Sequence, residues 1–273
     1  MIRFSLVSTV LVSAVSLASA GACAGASSSG SGSGVAPDGD THTDHAKDDG
    51  HGAHGAGHGA GHGAGHGQHG DNGHGYKGHR FDDPREWAEH FESPERTAWQ
   101  RPDAVVDSLA LPADAKIADL GAGTGYFAVR LAAAVPEGRV YAVDIEPNMV
   151  EWLATRADEG GIANLEAVQG HSGEPGLPEA VDLAFMCDVF HHLADPRAYF
   201  EAVATQLEPG GRVVIVDFRK DNPEDAPGPP AQMRMSSAEV RTVMEAAGYR
   251  VVQADAGLLE YQYISIFELA PGE

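Results

Sequence analysis

The chain has 273 residues, 18 Lys+Arg against 40 Asp+Glu and a formal charge of −22. From Phe81 onward 14 basic residues face 34 acidic ones, so the acid excess belongs to the foldable part. A surface this acidic repels phosphate backbones and no Lys/Arg cluster reverses the field locally, so a nucleic-acid partner is not expected. The only cysteines are Cys23 and Cys187, which leaves no internal disulfide framework.

Residues 1–23 begin with Arg3, continue through the apolar run Leu6 to Val12 and end in small residues. That is the three-part pattern of a secretory signal, and its apolar part is too short for a stable membrane span. Two exits fit. Ala18-Ser19-Ala20 matches ordinary signal cleavage, while Ala20-Gly21-Ala22-Cys23 resembles a bacterial lipobox with Ala20 where Leu is usual. In the second case Cys23 becomes a lipidated N-terminus and tethers the chain to a membrane. The Ser/Gly linker after Cys23 suits a tethered protein, so export to the periplasm or to a membrane-anchored lipoprotein form is expected.

Residues 24–80 are low in complexity, with ten of the fourteen histidines between His42 and His79. The unit Gly-Ala-Gly-His sets His58, His62 and His66 four apart. Gly occupies so many positions, each disfavouring helix by roughly 1 kcal/mol, that a flexible coil is predicted. Imidazoles on such a coil (His51, His54, His58, His62, His66 and His69) can converge on divalent Zn, Ni, Cu or Co ions. The alternative is a hydrated spacer, and in neither case is the tail a catalytic site.

The remaining stretch, 81–273, is about 190 residues, enough for one α/β domain that buries roughly 70% of its unfolded surface. Asp83 to Leu109 reads as helical and carries Trp87, Phe91 and Trp99. From Lys116, short apolar runs alternate with amphipathic stretches, the pattern of a parallel sheet flanked by helices. Ile117 to Leu120 is the first strand, followed by a helix with Phe127, Leu131, Ala134 and Val135 that Pro136-Glu137-Gly138 stops. Val140 to Val143 is the second strand, and a helix carrying Met149 and Leu153 opens near Pro147. Leu165 to Val168 and Val181 to Cys187 are the third and fourth strands, and a helix with Phe200, Val203 and Leu207 on one face follows. Pro209-Gly210-Gly211 turns into a strand from Arg212 to Asp217, and a Pro/Gly-rich loop spans Asn222 to Pro230. Ser236-Ser237-Ala238-Glu239 is a capping box that opens a helix with Val240, Val243, Met244 and Ala247 and a Gly248 stop. Tyr249 to Val252 and Tyr261 to Leu269 complete a doubly wound, mostly parallel, seven-stranded sheet.

The first strand ends in Asp119-Leu120-Gly121-Ala122-Gly123-Thr124-Gly125. Glycines there allow a sharp turn and close approach of a ligand, while the next helix opens with free N–H groups. The second strand ends in Asp144, nineteen residues after Gly125, where a carboxylate sits beside the same crevice and can accept hydrogen bonds from a ribose. A dinucleotide fingerprint needs a small residue three places after the second Gly, but Tyr126 stands there and the third Gly comes one place early. Asp119, just ahead of the loop, would repel a pyrophosphate yet can receive an ammonium, directly or through water.

At this point the sequence resembles the class I (Rossmann-like) S-adenosylmethionine-dependent methyltransferase family, over about Phe81 to Leu269. The resemblance implies S-adenosyl-L-methionine as cofactor, with Asp119, Gly121, Gly123 and Gly125 lining its methionine side. Asp144 would hold the ribose hydroxyls, with Ile145 beside it in the cofactor site. After the fourth strand, Cys187-Asp188-Val189-Phe190-His191-His192-Leu193 occupies the segment that in the family flanks cofactor and substrate. Asp188, His191 and His192 are thereby candidates for a catalytic base or an acceptor-positioning group, set against a local packing role for any one histidine. The acid that often contacts adenine after the third strand is absent from Gly170-His171-Ser172-Gly173. Glu95 to Pro102 and the loop Gly228-Pro229-Pro230 resemble those of a subgroup of bacterial small-molecule methyltransferases, and the first would cap the cofactor or else be a helix packed on the sheet edge. The expected activity is methyl transfer to a small-molecule acceptor. The alternatives are an NAD(P)-dependent oxidoreductase and an exported metal-binding lipoprotein with a non-catalytic domain.

Overall fold

The computed structural model describes residues 83–254 and 257–271. The leader with Cys23 and the histidine tail lie outside the described residues. The N-terminal stretch read as helical is three short helices, α1 (Pro84–Phe91), α2 (Pro94–Gln100) and α3 (Pro102–Ser108). The breaks have a backbone cause: each helix has proline at its start, where the missing N–H and fixed φ are tolerated. Arg101, between α2 and α3, adopts a left-handed φ of 49°.

The alternation then follows as β1 (Lys116–Leu120), α4 (Ala128–Ala134), β2 (Arg139–Asp144), α5 (Pro147–Gly160), β3 (Leu165–Gln169) and β4 (Val181–Cys187). A 3-10 turn at Phe190–His192 leads to α6 (Pro196–Ala204), β5 (Leu207–Phe218), α7 (Ser237–Ala246), β6 (Tyr249–Gln253) and β7 (Gln262–Leu269). The capping box at Ser236 and Glu239 forms in both directions. Leu207 departs from expectation: α6 ends at Ala204, and Leu207 is the first residue of β5, paired with Val181. Its spacing from Val203 fits another helical turn, but pairing with β4 claims it instead.

The sheet order is β3-β2-β1-β4-β5-β7-β6. Strands β1 to β5 run parallel, while β7 is antiparallel to both β5 and β6. Both faces are covered. Ile117, Leu131, Val140, Leu153, Phe185 and Val214 belong to one buried cluster, and Leu120, Met186, Phe200, Ile215, Met244 and Phe267 to the other. Fully burying one such side chain contributes about 1.5–3 kcal/mol, so the central strands fix the frame on which the loops at their C-terminal ends are held. The order turns at β1, with β2 on one side and β4 on the other, and that switch point is where open α/β sheets bind ligands.

Candidate active site

Gly121, Gly123 and Gly125 all have positive φ, at 78°, 55° and 91°. A Cβ on Gly121 would lie 2.5 Å from Val189 Cγ2, and one on Gly125 would lie 2.9 Å from Leu153 Cδ2, so backbone and space both demand glycine. The amides of Gly121 and Ala122 donate to the Val143 carbonyl at 2.8 and 2.9 Å, which ties the loop to the end of β2.

Asp144 closes the same corner. Its carboxylate accepts from the Gly123 amide at 2.8 Å and the Glu146 amide at 2.9 Å, and the residue is 8% exposed. Burial pushes its pKa up while these amides oppose the shift. Ile145, next to it, is 45% exposed beside the crevice. Gln169, at the end of β3, donates its amide to the Ile145 carbonyl at 2.8 Å.

Asp119 is 3% exposed and one of its oxygens, Oδ2, has no hydrogen-bond partner. Burial first, then the charge of Asp144, raises its pKa to about 7, against a hydrogen bond from the Ala128 amide. A buried carboxylate oxygen without a donor is uncommon in folded proteins and marks a place where a cationic donor is stabilised. The glycines, the orphaned oxygen and Asp144 together fit the amino-acid and ribose ends of S-adenosylmethionine.

The N-terminal helices cover this corner. The ring of Phe91 lies 3.8 Å from the position a Gly123 Cβ would take. Glu92 pairs with Arg156 of α5 and accepts from Thr124 Oγ1 at 3.2 Å, while the Thr124 carbonyl takes Arg156 Nη1 at 2.8 Å. Two surface hollows, of about 300 and 310 Å³, are lined by Arg101, Ser108 and Ile264 and by Asn222, Asp225 and Tyr261, and neither includes a loop glycine.

Beyond β4 the chain assembles a second polar cluster. Asp188 has a φ of 60°, in the left-handed region that Asp adopts more readily than most non-glycine residues. Its carboxylate receives Arg96 Nη2 of α2 at 2.9 Å and the side-chain amide of Gln262. Burial raises its pKa to about 6, with Arg96 opposing. Arg96 also lies over the rings of Phe91 and Tyr126, at 5.3 and 4.7 Å. Gln100 donates to Gln262 Oε1 at 2.7 Å and to Cys187 Sγ at 3.1 Å.

The rings of His191 and His192 lie 4.2 Å apart, tilted by 40°, but differ in surroundings. Partial burial of its ring, then the charge of His191, lowers the His192 pKa, although the residue as a whole is exposed. His191 places Nδ1 3.0 and 3.1 Å from the two oxygens of Asp217, a fully buried residue at the end of β5. Burial pushes the His191 pKa down, but the hydrogen bond and charge of Asp217, with Asp188, outweigh it and the net shift is upward. The Tyr263 hydroxyl, across from Asp217 on β7, is buried without a partner.

Asp119, the three glycines and Asp144 therefore share one corner, and Asp188, His191 and His192 share the adjoining one. The sequence reading did not single out Asp217, Gln262, Gln100 or Tyr263. Asp217 carried the same signal as Asp144, an acid closing a strand. Gln100 carried a signal only as part of the Glu95 to Pro102 segment, and Gln262 and Tyr263 carried none, because they are polar residues that only the fold brings to the site.

The methyltransferase domain family matches residues 112–264, more than half of the chain. A malonyl-[acyl-carrier protein] O-methyltransferase of Hahella chejuensis is 36% identical over 98 residues, which are 36% of this chain and 34% of that protein. A ubiquinone/menaquinone biosynthesis C-methyltransferase of Syntrophotalea carbinolica is 30% identical over 117 residues, 42% of this chain and 48% of that protein. The chain thus spans less than half the length of these curated relatives. Among solved structures, a SAM-dependent methyltransferase from Aquifex aeolicus superposes with a TM-score of 0.63 and 26% identity, covering 69% of this chain and 99% of that one. With the glycine loop and the strand order, this match separates the methyl-donor reading from the dinucleotide one: the chain belongs to the methyltransferase domain family, with the fold and cofactor of its class I, S-adenosylmethionine-dependent members.

Proposed function

We propose that this domain moves a methyl group from S-adenosylmethionine to a small-molecule acceptor. The observation that carries the proposal is the buried, unpartnered Oδ2 of Asp119 at the root of the glycine loop. A pyrophosphate there would meet a carboxylate, whereas an ammonium supplies the missing donor. In this reading Asp119, Gly121, Gly123 and Gly125 hold the amino-acid end, and Asp144 with Ile145 the nucleoside end. When bound, the sulfonium supplies an electrophilic methyl carbon. The protein's part is alignment and exclusion of water, to which Phe91, Glu92 and Arg96 on the covering helices contribute. Asp188, His191 and His192 face the acceptor side.

By their names, one relative above is an O-methyltransferase of a malonyl group on an acyl-carrier protein and the other a C-methyltransferase of ubiquinone/menaquinone biosynthesis, which supports a metabolite-sized acceptor group. The acidic surface, −22 overall, argues against nucleic acid. The test is to incubate the chain and methyl-labelled S-adenosylmethionine with fractionated bacterial extract. Label should enter the low-mass fraction; label confined to RNA or protein would overturn the small-molecule assignment.

The leader supports export, with Cys23 as the lipid tether and the histidine tail as a loose site for divalent ions. Wild-type protein should then sediment with membranes and Cys23→Ser should not. Full-length protein found wholly in the cytosol would sink this reading.

A further inference from the structure

We propose that Asp217 positions His191 as the base that takes a proton from a hydroxyl acceptor, so that the methylated atom is oxygen. This rests on the methyl-donor reading above and deepens it. A buried carboxylate requires donors. Asp217 has the Phe218 amide at 2.7 Å and His191 Nδ1 within 3.0 and 3.1 Å of its two oxygens. Keeping the proton on Nδ1 leaves Nε2 bare, and none of the hydrogen bonds among the described residues takes up Nε2. The turn that carries His191 abuts the glycine loop: Val189, two residues earlier, fills the space where a Gly121 Cβ would be. The imidazole that Asp217 orients thus sits on the turn that packs against the cofactor loop, two residues from Val189, with its side chain 3% exposed.

The surrounding charges select the acceptor. A carboxylate acceptor is already anionic, needs no base, and would meet Asp188 and Asp217. Arg96, which could have received it, is paired with Asp188. An amine attacks with its own lone pair and loses its proton afterwards. A phenol or alcohol is a weak nucleophile until its proton leaves, and general-base help is worth most there. In the step, the hydroxyl proton passes to Nε2 and the oxygen lone pair forms the O–CH3 bond. The C–S bond breaks with its electron pair left on sulfur, and the imidazolium opposite Asp217 returns its proton to solvent. The titratable groups bearing on His191 are Asp217 from β5, Asp188 from the end of β4 and His192 beside it. Tyr263 on β7, paired with Asp217, lies in the field of Asp217 and Asp188 with its buried hydroxyl unpartnered.

The first test needs no acceptor. Nitrogen NMR of the full chain labelled in histidine, with S-adenosylhomocysteine bound, should show neutral His191 protonated on Nδ1, and Asp217→Asn should lower its pKa. An Nε2-protonated tautomer in the wild-type chain overturns the positioning claim, whether or not any variant folds. The second test offers catechol, aniline and benzoate with methyl-labelled donor. Label should appear on catechol alone, and His191→Gln should lower kcat by about 100-fold or more with S-adenosylhomocysteine affinity unchanged. Raising the pH to ionise catechol should restore part of that rate. Label on aniline or benzoate instead, label on none of the three, or a variant as fast as wild type overturns the hydroxyl assignment. Failure to bind S-adenosylhomocysteine would instead sink the methyl-donor reading itself.

Discussion

Removing the Asp144 carboxylate separates two jobs that the structure gives to one residue. In the free domain it braces the glycine loop through the Gly123 and Glu146 amides, at 2.8 and 2.9 Å. In the proposed complex it also accepts from ribose hydroxyls. Asp144→Ala leaves two amides without their acceptor, each costing about 1–3 kcal/mol if water cannot replace it. Ile145 next door is 45% exposed, so water reaches this corner and relieves part of the loss. A net cost of about 2 kcal/mol is expected, which for a domain of this size lowers Tm by roughly 4–8 °C. The ribose contacts are charge-assisted, at about 1.5–3 kcal/mol, so S-adenosylhomocysteine binding should weaken by roughly 10- to 150-fold. Asp144→Asn keeps an acceptor for one amide and should recover much of the stability but little of the affinity. Thermal melts and calorimetric titration of both variants read the two quantities separately. Lower Tm with unchanged affinity in both would show that Asp144 is a loop brace and that the ribose assignment is wrong.

Other changes bear on the same corner. Gly121→Ala sets a methyl against Val189 at a φ of 78°, and both Tm and S-adenosylhomocysteine affinity should fall; wild-type values for both would refute the packing described. Asp119 has its pKa raised from 3.8 to about 7 by burial and Asp144, so the stability it gives the free domain is full below about pH 4 and lost as pH rises through 7. An ammonium partner needs the ionised form, so S-adenosylhomocysteine should bind more tightly, with proton release, as pH rises from about 6 to 8. Calorimetry in buffers of different ionisation heat measures that proton, and a pH-independent affinity in wild type would refute the pairing. Deleting residues 24–80 should abolish retention on immobilised nickel and leave S-adenosylhomocysteine affinity unchanged; lost affinity would place the tail in the site.

What the sequence shows and what it hides follow from distance along the chain. The glycine loop, Asp119 and Asp144 are legible because strand, loop, helix and closing acid are contiguous and each has a local physical reason. The alternation of strands and helices into a doubly wound, seven-stranded sheet is legible for the same reason, since short connections leave few ways to wind the chain. The partners of the second cluster are not. His191 meets Asp217 across 26 residues, Arg96 meets Asp188 across 92, and Gln100 meets Gln262 across 162. Nothing in the local pattern around Gln262 marks it as more than a polar residue at an element's end, and Gln100 is marked only as part of the Glu95 to Pro102 segment. Leu207 shows the converse limit. Its spacing from Val203 satisfies helical periodicity, yet the pairing with Val181 decides its state.

The central claim, that the glycine-loop corner takes the adenosyl-methionine skeleton and not a dinucleotide, is tested most directly by titrating residues 81–273 in a calorimeter with S-adenosylhomocysteine and, separately, NADH. Saturable heat is expected with S-adenosylhomocysteine, weakened in Asp144→Ala, and none with NADH. Saturable binding of NADH with none of S-adenosylhomocysteine would contradict it.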